Sequence, residues 1–175
     1  MEVEVKFKAY DGVENRIKQI AEFVIEKLEE DLYFNHPCRD FKESDEALRV
    51  RKDKEGIRVT YKGAKVDKET KSREEIKLKV DDYNKAIKLF EKLGFKAVRE
   101  VVKLRKIYRI GDAIICYDEV KGLGKFVEIE IEIEGKANFE IAKQKVFEIA
   151  KQLGFDSKNS IRKSYLELLE EKNRV

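Results

Sequence analysis

Glu2 and Glu4 alternate with Val3 and Val5 at the start of the chain and lead into Lys6. Far downstream, Glu128, Glu130, Glu132 and Glu134 alternate in the same way with Ile129, Ile131 and Ile133. Between these acidic runs lie basic ones: Arg49 and Arg51, then Arg58, Thr60 and Lys62, then Arg73, Glu75, Lys77 and Lys79, then Lys103, Arg105 and Arg109. Residues two apart on a β-strand share a face, so each run presents one charged face and one apolar face. Carboxylates are hard oxygen ligands for Mg²⁺ or Mn²⁺, and such ions keep phosphate oxygens as further ligands. Arg and Lys neutralise phosphate, Arg through two parallel hydrogen bonds. Acidic and basic walls around one space are therefore suited to a polyphosphate held with its metal. Any one charged row taken alone is also what the wet side of an antiparallel sheet shows. The set differs, because wet faces mix signs to avoid like-charge neighbours, whereas here Glu-only and Arg-only clusters are segregated by strand.

The elements that must position these residues follow from periodicity. Alternation with period two marks strands at residues 2–9, 46–52, 57–62, 73–80, 101–110, 113–119 and 126–134, with 30–36 as a weaker eighth. Helical spacing marks three helices: from Gly12 to Glu29, from Tyr83 to Leu93 behind Asp81 and Asp82, and from Phe139 to Leu153. A short fourth helix is expected from Tyr165 to Lys172, and the second and third end in Leu-Gly-Phe, with Gly placed to terminate them. Amphipathic helices need apolar surface to cover. If they cover the outside of a closed sheet, the charged faces turn inward. The expected fold is α+β, a closed or nearly closed eight-stranded antiparallel β-barrel with helices packed outside, in one domain over residues 1–175. Glu4-x-Lys6-x-Lys8 before Asp11 and a helix resembles Glu75-x-Lys77-x-Lys79 before Asp82 and a helix, with a third strand-then-helix unit at Glu128–Glu134. This suggests repeated strand–helix–strands units.

Composition excludes several classes. Charged residues are 43% of the 175 residues, yet the net charge is only +3, which argues against a nucleic-acid coat protein. No apolar run approaches a membrane span, and no signal peptide is expected from the acidic, alternating N-terminus. Cys38 and Cys116 have neither metal spacing nor a secreted disulfide pattern, so a cytoplasmic location is expected. With His36 as the single histidine, a metal must be held by oxygen.

The motifs together resemble the CYTH superfamily, also called triphosphate tunnel metalloenzymes. Glu2-x-Glu4-x-Lys6 is similar to its ExExK signature, Asp31-Leu-Tyr33-Phe to its second-strand motif, and Leu48-Arg49-Val-Arg51 to its paired-Arg strand. Thr60-Tyr-Lys62-Gly63, Arg73-Glu-Glu75, Lys103-Leu-Arg105, and the run from Asp118 through Gly122-Leu-Gly124 to Glu128-Ile-Glu130 resemble the remaining motifs in order. Ser160-Ile-Arg162-Lys-Ser-Tyr165 is similar to the C-terminal segment of the class IV adenylyl cyclase-like branch. The resemblance implies that Glu2, Glu4, Asp118, Glu128 and Glu130 ligate one or two Mg²⁺ or Mn²⁺ ions. It implies that Lys6, Arg49, Arg51, Lys62, Lys103 and Arg105 grip phosphates, with Arg73 and Arg162 as further members. In the thiamine triphosphatase branch a Tyr placed as Tyr33 works with the signature Lys, here Lys6, to orient or activate water.

Two chemistries then share one site. A cyclase would form cyclic AMP and pyrophosphate from ATP; a phosphatase would hydrolyse inorganic triphosphate, thiamine triphosphate or a nucleotide. A non-catalytic polyphosphate-binding module is a third reading, disfavoured by the full acidic set. No nucleic-acid or membrane partner is expected, and a homodimer is compatible with the sequence. Glu4→Gln and Arg51→Ala are each expected to abolish most activity with little loss of stability.

Overall fold

The computed structural model describes residues 1–173. The strands are β1 (Glu2–Lys8), β2 (Glu22–Asn35), β3 (Ala47–Asp53), β4 (Gly56–Lys62), β5 (Glu75–Val80), β6 (Lys96–Ile110), β7 (Ala113–Val120) and β8 (Gly124–Glu132). The helices are α1 (Val13–Ile20), α2 (Tyr83–Lys92), α3 (Phe139–Gln152) and α4 (Tyr165–Lys172). All eight strands form one antiparallel sheet in the order β1-β8-β7-β6-β2-β3-β4-β5. The sheet curls until its two edges nearly meet. Glu2 and Arg73 exchange backbone hydrogen bonds of 3.3 Å, and Lys71 N–H donates to Glu4 O at 2.9 Å, so residues 71–73 seal the edge of β1.

The strand order is its own mirror when β1–β4 are exchanged with β5–β8. Each half is strand, helix, three strands, and β2 and β6 pair along the line between them. The repeat suggested by Glu4-x-Lys6-x-Lys8 and Glu75-x-Lys77-x-Lys79 is thus the repeat of the fold. The third unit is not: β8 is the last strand of the second half, and among the described residues no strand follows α3.

Alternation places apolar residues outward and charged ones inward. Val3, Val5 and Phe7 of β1 and Val127, Ile129 and Ile131 of β8 are buried beneath Val13 and Ile17 of α1 and Ala142, Val146 and Ile149 of α3. On the other half, α2 sets Ala86, with Phe90 beside it, against Phe34, Leu48, Val50 and Val59. The fourth helix differs. Tyr165 and Leu169 of α4 pack on Tyr33, Val101, Val120 and Phe126, which by parity belong to inward-facing rows, so α4 lies across one end of the barrel.

The helix expected from Gly12 to Glu29 is corrected: α1 stops at Ile20, and residues 22–35 form the long strand β2, hydrogen-bonded to β6 on one side and to β3 on the other. Val24 and Leu28, which continued the helical spacing, are exposed on the outer face. Lys27, Glu29, Asp31 and Tyr33 are buried along the inner one. Pairing with two strands satisfies the backbone of this segment and overrides a chance helical pattern. The weak strand at 30–36 is the end of β2. Elsewhere the elements fall within a few residues of expectation, and α4 matches it. Gly94 and Gly154, with φ of 93° and 85°, end α2 and α3.

Candidate active site

The inward rows enclose a cavity of about 810 Å³ whose lining includes Glu4, Glu128, Glu130, Arg49, Lys62 and Tyr33. Antiparallel register sets Glu4 of β1 opposite Glu130 of β8 and Lys6 opposite Glu128. Glu4, Glu128 and Glu130 each present a carboxylate oxygen within 4.8 Å of the others. Burial and the neighbouring Glu128 push the Glu4 carboxyl up to about 7. Burial and Glu2 raise Glu130 well above the usual carboxylate range. Burial also raises Glu128, but Lys71, Lys6 and Arg105 reverse this and hold it well below that range. Three hard oxygen ligands in mutual repulsion fit a divalent cation. Glu2 lies close enough to raise both Glu4 and Glu130 and is itself 3.1 Å from Lys77 Nζ. Asp118 does not join the group: Arg105 grips it with two hydrogen bonds of 2.7 and 2.6 Å, and Tyr165 Oη donates to it at 2.7 Å.

The basic residues divide into two kinds. Arg51 donates from Nε and Nη2 to Asp31 at 2.6 and 2.8 Å and lies 3.2 Å from Glu29. Lys103 Nζ is 3.1 Å from Glu29 and 3.2 Å from Asp31, and Arg105 also donates to Glu128 at 2.8 Å. These three are locked by carboxylates. Arg49 is freer. Its nearest carboxylate contact is 4.0 Å, to Asp31, and its buried Nε has no hydrogen-bond partner. Lys62 Nζ sits 2.6 Å from Glu75, and Arg73 donates to the carbonyls of Asp45 and Gly63, each at 3.2 Å. Burial raises the Tyr33 phenol, yet Arg49, Lys103 and Lys62 together more than offset this and leave it below its ordinary value.

Two expected members stand apart. Lys6 is fully buried beside Glu128, 3.4 Å away; its Nζ donates to Lys163 O at 2.9 Å and lies 3.7 Å from the centre of the Tyr165 ring. Arg162 donates to the backbone carbonyls of Thr70 and Asp67 and braces the loop before β5. Conversely, Glu29, Asp31 and Lys71 are built into the charged interior and were not expected there. Glu29 lies in the segment expected as helix, and Asp31 in the weaker strand candidate 30–36, too short to show which face turns inward. Lys71 continues the row Arg73, Glu75, Lys77 two residues upstream of where alternation was read.

A nearly closed antiparallel barrel with three crowded carboxylates and a basic wall inside is the architecture of the triphosphate tunnel class. Residues 1–165 match the CYTH domain, and the chain belongs to that family. A Methanocaldococcus jannaschii protein, described as a candidate adenylate cyclase, is 44% identical over 96% of this chain and 98% of its own length. The solved structure of PH1819 from Pyrococcus horikoshii OT3 is 41% identical, with a TM-score of 0.92 over 98% of this chain and 99% of that one. A Hippeastrum protein, described as a candidate adenylyl cyclase with a dominant triphosphatase activity, shares the fold at a TM-score of 0.69 and 17% identity, over 98% of this chain and 96% of that one. Among the described residues, no helix is long and apolar enough to cross a membrane.

Proposed function

We propose that the chain is a divalent-metal-dependent enzyme acting on a triphosphate bound in the barrel, and that it converts ATP to cyclic AMP and pyrophosphate. The observation that carries this reading is the form of the cavity: one space lined by Glu4, Glu128 and Glu130, by Arg49 and Lys62, and also by the apolar residues Ala47, Val98 and Leu166. A triphosphate alone needs the charged part; a nucleoside gives the apolar part an occupant. The description of the Methanocaldococcus jannaschii relative points the same way.

In this reading Glu4, Glu128 and Glu130 hold Mg²⁺ or Mn²⁺, with Glu2 at their edge. The metal supplies a lowered pKa for the attacking hydroxyl and positive charge beside the phosphates. Arg49 and Lys62 bind phosphate oxygens directly, and the orphaned Nε of Arg49 is a donor awaiting an anion. Arg51, Lys103 and Arg105 are fixed by Glu29, Asp31 and Asp118, so their charge is oriented before substrate arrives. Lys6 supports Glu128 from beside it. The 3′-hydroxyl gives its proton to solvent water, its oxygen forms the new bond to the α-phosphorus, the α–β bridge bond breaks, and the electron pair of that bond leaves on pyrophosphate.

Hydrolysis of a triphosphate is the second reading, favoured by Tyr33, whose phenol lines the cavity beside Arg49 and could orient a water. The dominant activity of the Hippeastrum protein is consistent with it. Incubation with Mn²⁺ or Mg²⁺ and, separately, ATP, inorganic triphosphate and thiamine triphosphate decides between them. Cyclic AMP with equimolar pyrophosphate is the expected result; orthophosphate without cyclic AMP would replace cyclisation by hydrolysis.

A further inference from the structure

Lys71 lies in the segment between β4 and β5, at the seam of the barrel. Its backbone is pinned there. Its N–H donates to Glu4 O at 2.9 Å, and Ser72 Oγ accepts from Glu4 N–H at 3.3 Å. Thr70 Oγ1 and Ser72 Oγ share a hydrogen bond of 2.6 Å, and Thr70 N–H donates to Asp67 at 2.9 Å, so the turn is itself braced. The side chain runs inward, only 8% exposed, and places Nζ 3.0 Å from Glu4 Oε1 and 3.4 Å from Glu128 Oε1. These are two of the three carboxylates whose oxygens gather within 4.8 Å.

An ammonium and a divalent cation cannot both occupy that pair, because like charges a few ångströms apart in a buried site repel strongly. We propose that Lys71 is a built-in counter-ion that competes with the divalent cation for Glu4 and Glu128, and so sets the metal concentration at which the site fills. The inference rests on the reading of these carboxylates as the metal site. While the protein is metal-free, Nζ relieves their mutual repulsion. When metal enters, Nζ must withdraw on a flexible four-carbon stem while its backbone stays hydrogen-bonded to β1. Lys71 also lines the cavity, so the displaced ammonium remains in the same space as the anion. A triphosphate then gives it a new partner, and metal and anion bind more tightly together than either does alone.

Mn²⁺ titration followed by the electron paramagnetic resonance of the free ion, with no nucleotide present, tests the competition. Lys71→Met should bind Mn²⁺ about tenfold or more tightly than the unsubstituted protein, since one competing charge is gone. Lys71→Arg, which keeps the charge, should not. In thermal melts without metal, Lys71→Met should unfold earlier than the unsubstituted protein and recover more of its stability when Mn²⁺ is added. Lys71→Gln takes its place if the Met variant does not fold. Unchanged or weaker Mn²⁺ binding by Lys71→Met, with normal binding by the unsubstituted protein, overturns the competition and leaves the metal site standing. If neither protein binds Mn²⁺ more tightly than a Glu128→Gln variant does, the metal reading fails and the competition falls with it.

Discussion

Arg51 and Glu4 are both charged residues on the inner side of a strand, and their sequence context gives them the same prospect on substitution. The structure separates them. Arg51 is paired twice with Asp31, which is fully buried. Arg51→Ala removes that bidentate partner and leaves Lys103, 3.2 Å away, as the close cation of Asp31, a change that costs about 1–3 kcal/mol. Its midpoint in chemical denaturation should therefore fall steeply, and a loss of activity would not by itself identify a phosphate ligand. Glu4 stands in the opposite position, disfavoured by burial and by Glu128. Glu4→Gln should keep or raise the denaturation midpoint while weakening Mn²⁺ binding by about tenfold or more. Unchanged Mn²⁺ binding would remove Glu4 from the metal site. The charge and facing of both residues were legible from alternation alone. Their partners were not, because Asp31 lies in the short, weakly marked strand candidate at 30–36, and a cross-strand pair leaves no mark at short range.

At the scale of elements, the legible parts are those with an unambiguous local signal. The helix from Tyr83 carries a cap, with Asp82 accepting from Lys85 N–H at 2.9 Å, and a terminating glycine. The strands β1 and β8 alternate most cleanly, with Val3, Val5, Val127, Ile129 and Ile131 outward. The segment from Glu22 to Glu29 failed because Ile17, Ile20, Val24 and Leu28 keep helical spacing across the junction of α1 and β2, and only pairing with β3 and β6 decides it. Gly154 shows how the helix ends serve the barrel. It turns the chain at φ 85° so that Phe155 stacks on Phe7, ring centres 4.6 Å apart. An added Cβ would meet the end of the Arg16 side chain, which can move aside, so the backbone conformation dominates the effect. Gly154→Ala should cost about 1–2 kcal/mol and lower the melting temperature by about 3–6 °C. A variant as stable as the parent would show that α3 ends by another route.

Across the whole molecule, the outer apolar surface and the inner charged one behave differently with pH. Burial raises the Asp31 carboxyl, but Lys103 and Arg51 outweigh it and hold it well below its ordinary value of 3.8. Glu29 is likewise held low against burial by Lys103, Arg105 and Arg51. Groups lowered on folding stabilise the protein above their ordinary range, and that contribution is lost as the pH falls through it. Glu4 has the opposite sign: raised to about 7, it penalises the metal-free fold above neutrality, and protonation relieves it. Without metal, the free energy of unfolding should rise as the pH is lowered through neutrality and then fall below about pH 4. Divalent metal should flatten the neutral limb only. A stability that climbs steadily into acid would contradict the ion pairs of Asp31 and Glu29. The general arrangement of a sheet with charge inside was readable from the segregation of Glu and Arg rows. The balance of those charges was not, since it depends on which of them touch.

That balance limits what the barrel will admit. Glu29, Asp31 and Asp118 already cancel much of the charge on Arg51, Lys103 and Arg105. The interior is thus closer to a salt crystal than to a positively charged trap, with little field left over to draw in a naked polyanion. What suits it is a species that brings its own cation and arrives nearly neutralised. Under the proposed ATP reading, selection at the entrance would act on the complex of ion and nucleotide as a unit, and free nucleotide in excess of metal should be a poor ligand rather than a competitor.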